Sequence, residues 1–170
     1  MGLELAGKHR GIVVDNADPE KLGRLKVRVE SAYGEQPAEN LPWAWPCFLG
    51  GGSSDCGCFY VPEKGAVVWV EFLWSSGEPD PSSPVWTGVW FTKGGTPAEV
   101  EGPPEDAHHY KVLKTTSGHK MVCCDKPGEE CVRIHGAKGQ TIEMDENGGM
   151  TVTVPGLLLF RVGHTTMRRY

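Results

Sequence analysis

Between Gly118 and Pro155 the chain reads as four short alternating runs, GHKMVCCD, PGEECVRIHG, KGQTIEMD and ENGGMTVTVP, each closed by Gly beside Pro, Asp, Asn or Lys. Side chains on a strand alternate between its faces, so runs of this kind separated by tight turns predict a strand-turn array. Val132 and Ile134, Ile142 and Met144, then Met150, Val152 and Val154 fall on one face, while Arg133, Glu143, Thr151 and Thr153 fall on the other. The turns are too short to hold a covering helix. The apolar face therefore needs other copies of the array to close over it, most simply three wrapped around a common axis. The expected trimer core is Val132, Ile134, Ile142, Met144, Val152 and Val154. Leu158 and Phe160, from the apolar run after Pro155, would plug the narrow end.

The remainder of the 170 residues is enough for one ordinary domain. The 23 glycines and 13 prolines of the whole chain are scattered rather than periodic, and no stretch keeps a 3.6-residue apolar period over three turns. The expected fold class is all-β with almost no helix. A net charge of −5 argues against a nucleic-acid partner, because neutralising phosphates takes a basic face. MGLELAGKHR lacks the basic start and apolar run of a signal peptide, and no 18-residue apolar segment is present. The expectation is a protein made and kept in the cytoplasm until it is assembled, with its six cysteines reduced. Cys56-x-Cys58 has no second ligand pair and reads as loop thiols.

Residues 9–30 split into two alternating strands joined by an Asn-Ala-Asp-Pro turn and a Gly, with Ile12 and Val14 inward in the first and Leu25, Val27 and Val29 in the second. Ser31–Leu41 reads as a surface loop, and Trp43–Leu49 as a third strand placed by Pro46 at an edge or bulge. Phe59–Leu73 is the strongest strand, Ser75–Ser83 the turn after it, and Pro84–Phe91 the closing strand. This order suits a small closed Greek-key barrel of the oligonucleotide/oligosaccharide-binding (OB) type, which leaves no exposed edges. Val100–Asp106 is too rich in Pro and Gly for a helix, and His108-His109-Tyr110 should open the first strand of the C-terminal array.

GIVVDNADPEKLGRLKVRV resembles the opening signature of the OB domain of contractile-tail spike proteins. The matching positions are Gly11, Asn16, Asp18, Pro19, Gly23 and Arg24. VPEKGAVVWVEFLWSSGEPDPSSPVWTGVW is similar to the second signature, at Pro62, Gly65, Pro84 and Gly88. TSGHKMVCCDKPGEECVRIHGAKGQTIEMDENGG resembles the start of the trimeric β-prism or β-helix that follows the OB domain in phage central spikes and in VgrG proteins of type VI secretion. Asp18 and Arg24 are expected to form the turn and pair the sheet before serving any chemistry.

The resemblance implies an OB domain over residues 1–92, a linker over 93–107 and a trimeric β-prism or β-helix with its tip over 108–170. It implies a non-enzymatic homotrimer in a phage tail baseplate, part of the virion, that docks on a separate hub protein and punctures the host envelope. A separate tip protein could extend so short a spike, since five or six rungs span only about 25 Å. A type VI secretion or other toxin-delivery particle is the alternative setting. An OB-type nucleic-acid or saccharide binder, using Trp43, Trp45, Trp69, Trp74, Trp86 and Trp90, is the alternative of another class. No cofactor is expected apart from an iron or zinc at the tip. Some spikes of this type hold iron with an H-x-H pair from each of three chains; this sequence has none, and a lone His164 per chain would have to supply the site.

Overall fold

The computed structural model describes residues 5–162 and 165–169. The chain divides into two compact units, Met1–Gly94 and Gly95–Tyr170.

The first unit is a closed five-stranded barrel in the order β1-β2-β3-β5-β4, built from β1 (His9–Asp15), β2 (Leu25–Arg28), β3 (Trp43–Pro46), β4 (Val67–Ser75) and β5 (Glu78–Val89). β4 returns to β1, and the β3–β5 contact is parallel while the other four pairings are antiparallel. Alternation sorts the side chains. Val13, Leu25, Val27, Val29, Ala44, Val68, Val70, Phe72 and Trp86 fill the interior. Register breaks in β1 and β4 bend the sheet as closure requires. Gly11 lies where two strands approach closely, since a Cβ there would sit 2.3 Å from Val27 Cγ1 and 3.3 Å from Val70 Cγ2.

Several local expectations are corrected. β4 begins only at Val67, because Gly65 turns the chain and Ala66 N–H bonds Glu63 O at 3.0 Å. The long turn expected over Ser75–Ser83 is a tight hairpin, with Ser76 and Gly77 both at positive φ and β5 already running from Glu78. Such primed turns match the twist of the flanking strands. Pro46 ends β3 rather than marking an edge, as the closed barrel has none. Val13, rather than Ile12, fills the interior from β1: Ile12 is 50% exposed, and Val14 is half-buried against the core. Ser31–Leu41 is not a plain surface loop. A single helical turn, α1 (Glu30–Tyr33), and a 3-10 turn (Ala38–Asn40) bring Tyr33 and Leu41 into the core, where Tyr33 Oη donates to Pro81 O at 2.7 Å.

The second unit holds an antiparallel meander of β6 (Tyr110–Lys114), β7 (Lys120–Cys124), β8 (Cys131–His135), β9 (Thr141–Met144) and β10 (Met150–Thr153), followed by a hairpin of β11 (Leu158–Val162) and β12 (Thr165–Arg169). Four i to i+3 turns at 115–118, 126–129, 136–139 and 145–148 join the meander, each with a glycine at positive φ. Gly95 onward groups with this unit, so most of the expected linker packs within it. His108 and His109 do not open the first strand. They close a 3-10 helix, Pro104–His109, with their rings 3.9 Å apart. Proline at the first helical position is tolerated because its missing N–H would be unpaired there anyway.

Glu99 fastens the entry segment to the sheet. Its carboxylate accepts from Lys114 Nζ and Lys120 Nζ, both at 2.9 Å, and these two ammonium groups lower its pKa to about 2. A depressed carboxylate pKa adds stability that is complete above the ordinary value near 4.5 and is lost as pH falls toward 2.

Two outcomes follow from this packing. Gly11→Ala is expected to lower barrel stability by about 1–3 kcal/mol through overpacking, read as a reduced denaturation midpoint with unchanged slope. Glu99→Gln should lower the thermal midpoint of the second unit by a few degrees at pH 7, and the gap should close between pH 4.5 and 2, measured by circular dichroism melts across pH.

Candidate functional site

Strand register places two cross-strand rows on one face of the meander. The first runs Lys111, Cys123, Val132, Met144, Met150; the second runs Leu113, Met121, Ile134, Ile142, Val152. Nine of these ten side chains are apolar or thiol. No layer of described residues covers them: Leu113, Met121, Ile134, Met144, Met150 and Val152 are all exposed, Met150 to 64%. An apolar patch of this continuity on a folded chain marks a contact surface. The residues expected to form a trimer core thus share one open face, with Val154 just past the end of β10. Leu158 stands in β11, whereas the Phe160 side chain and His164 lie outside what is described. Leu113, Met121 and Cys123 extend the face beyond the expected set, since pairing before Cys131 could be fixed only by the hydrogen-bonded ladder.

The opposite face is polar and partly covered. Val112, Val122, Arg133, Glu143 and Thr151 form one row, and Lys114, Lys120, His135, Thr141 and Thr153 another. Val122 and Cys124 are buried. A groove of about 330 Å³ lies between Glu99, Glu101, Tyr110 and Arg133, with His135 3.8 Å from Glu143 at its side. Its charges are of mixed sign, and no nucleophile stands beside a base there.

In the barrel the resembling positions meet one another. Asp18, whose side chain is 3% exposed, accepts from the N–H groups of Glu20, Leu22 and Arg24 and from Nε and Nη2 of Arg24. The Arg24 guanidinium holds the Asp18 carboxyl well below the usual range. Arg24 also bonds Glu20 at 2.7 Å and lies 5.7 and 5.5 Å from the ring centres of Trp43 and Trp45, a stacking partnership that spacing along the chain does not reveal. Pro19 sits within this turn. The turn is tied to the second stretch at three points: Asn16 Nδ2 donates to Pro62 O at 3.1 Å, Gly65 N–H to Val13 O at 2.8 Å, and Trp86 Nε1 to Gly23 O at 3.1 Å. Gly23 has φ +80° and no room for a Cβ beside Phe48. Pro84 pairs Phe72, and Gly88 pairs Trp69, in the β4–β5 ladder. These contacts tie the ends of the barrel together.

Of the tryptophans, Trp86 is core, but Trp69 points outward between the buried Val68 and Val70 and packs on Trp90 at 4.5 Å. Beside that pair, a groove of about 400 Å³ is lined by Arg10, Ile12, Arg28, Glu30, Glu35 and Val67. Cys56 and Cys58 are exposed, with Cys56 Sγ 2.8 Å from Ser53 Oγ. Among the described residues no three His, Cys, Asp or Glu side chains gather as a metal site.

A closed five-stranded barrel with one parallel contact, its ends tied by a buried Asp–Arg turn, defines the first unit as an OB-type domain. Residues 9–91, from the start of β1 to just past β5, match the family described as the type VI secretion system/phage-baseplate injector OB domain. The barrel belongs to that family, and the match covers slightly less than half of the chain. No curated protein matches the sequence.

Asp18→Asn should lower the unfolding temperature of the barrel by several degrees at pH 7, since Arg24 would keep a buried charge with less compensation. Because the Asp18 pKa is depressed, the contribution is complete above about 3.8 and is lost at lower pH, so parent and variant melts should converge in acid.

Proposed function

We propose that this chain is the central spike of a contractile injection machine, assembled as a homotrimer that seats on a hub protein by its barrel and is driven through an envelope. One observation carries the reading: two cross-strand rows, apolar or thiol at every position but Lys111, stand open across a five-stranded sheet, in a chain whose barrel matches the injector OB-domain family. Three such sheets turned toward a common axis would bury the rows as a β-prism. The role is mechanical rather than catalytic. Force-induced failure tracks the unfolding rate, and a core shared between chains keeps that rate low because no chain can expose its rows alone. The family description spans phage baseplates and type VI secretion, and a phage tail baseplate is the setting proposed, with a secretion particle as its alternative. A tip protein and an axial metal at His164 belong to the same proposal, supported by the resemblance alone.

Light scattering on the purified chain should give three times the 18.5 kDa chain mass. Ile134→Asp, at the middle of the second row, should shift the mass toward one chain while the barrel keeps its own melting transition. A monodisperse parent monomer would sink the spike. Metal analysis of the same sample tests His164, with one metal per three chains as the expected ratio.

A second reading is kept alive by the barrel groove, which Arg10 and Arg28 line together with Trp90. It would make the barrel a single-strand or saccharide binder. Glu30 and Glu35 in the same groove, and the net charge of −5, oppose a polyanion. Saturable binding of a labelled deoxythymidine oligomer at low salt, lost in Arg28→Ala, would favour it.

A further inference from the structure

Cys124 and Cys131 stand directly opposite each other on β7 and β8. Cys124 is 5% exposed and Cys131 half-buried, both with free thiols. They occupy the face away from the apolar rows, so closure of those rows by other copies would leave the pair where it is. The phase of the ladder fixes their spacing. Asp125 N–H donates to His109 O at 3.0 Å, which makes Tyr110–Cys124 a non-hydrogen-bonded pair of β6 and β7. The backbone groups of Cys124 therefore turn toward β8, and Cys124–Cys131 is a hydrogen-bonded pair, with Cα atoms about 5.5 Å apart. That separation falls inside the range of disulfides, roughly 4.4–6.8 Å. Cys123 adjoins Cys124 in sequence but points to the opposite face, beside Val132.

We propose that Cys124 and Cys131 form a site for an intrachain cross-strand disulfide, made when the protein meets a small-molecule disulfide such as oxidised glutathione, with Cys123 excluded. The half-buried Cys131 is the point of entry. Its thiolate attacks one sulfur of the oxidant, forming a mixed disulfide and releasing one glutathione thiolate. The Cys124 thiolate then attacks Cys131 Sγ, breaking the mixed bond and releasing the second glutathione. Two protein thiols are oxidised, one glutathione disulfide is reduced to two thiols, and the two protons pass to the leaving thiolates. Desolvation raises the Cys131 pKa, so the first step is slow at neutral pH and speeds up as pH rises. A disulfide needs Cβ atoms closer than a hydrogen-bonded pair usually holds them, so β7 and β8 must draw together and the bond is at the easily reduced end of the range. The staple would join neighbouring strands after assembly in a reducing compartment and delivery into an oxidising one.

The test treats the full-length native protein with glutathione disulfide, blocks remaining thiols, and digests with a protease that cuts after Glu129 or Glu130. The expected product is a fragment holding Cys123 and Cys124 linked to the fragment holding Cys131, two hydrogens lighter than the reduced pair. The link should survive in Cys123→Ser and vanish in Cys124→Ser. Formation should be several-fold faster at pH 9 than at pH 7. Recovery of Cys124 and Cys131 as separately blocked or glutathionylated thiols would overturn the proposal, as would a link that depends on Cys123.

Discussion

A sheet with one apolar face that no layer of described residues covers is the constraint on which the second unit depends. Burial of apolar surface supplies most of the driving force for folding, and a five-stranded meander alone buries little on its open side. Leu113, Met121, Ile134 and Val152 in one row, and Val132, Met144 and Met150 in the other, are placed by hydrogen-bonded register rather than by a core. The covered side is held differently. There Val122 and Cys124 are buried, and Glu99 gathers two lysines from adjacent strands. Polar clasps hold one side, and the other is an open apolar plane.

The barrel solves the same edge problem without help. Its strands close on themselves, so every ladder is paired within the chain and no edge is left for another protein to extend. Partners must therefore meet side-chain surfaces and loops. Its ends are sealed locally by the Tyr33 plug and by the Asp18–Arg24 turn beneath Trp43 and Trp45. Of the positions that carry the resemblance, Asp18, Pro19, Gly23 and Arg24 lie in that turn, whereas Gly11, Pro84 and Gly88 lie in the strand ladders.

The cysteines divide by the same geometry. Cys47, Cys56 and Cys58 are exposed, Cys123 belongs to the apolar face, and Cys124 and Cys131 share the covered face. Neighbours in sequence are separated by the pleat, while residues seven apart are brought together by a tight turn. A count of six thiols could not distinguish these fates.

The sequence by itself determined the strand-turn character of the chain, the barrel with its two signature stretches, and which face each residue from Val132 to Val152 would take. All of these rest on short-range physics: period-two alternation, turn residues and the positive φ that glycine permits. It misread Ser31–Leu41 as loop, Ser75–Ser83 as a turn and His108-His109 as strand. In the first and last a contact distant in sequence decided the conformation, Tyr33 with Pro81 and the hydrogen bond from Asp125 to His109 that starts the ladder only at Tyr110, whereas at Ser75–Ser83 it was the local primed turn of Ser76 and Gly77, both at positive φ. Tertiary structure alone set the pairing of Cys124 with Cys131, the stacking of Arg24 on two tryptophans and the extension of the apolar rows to Leu113 and Met121. Register across strands is a relation between segments, and no single segment's pattern contains it.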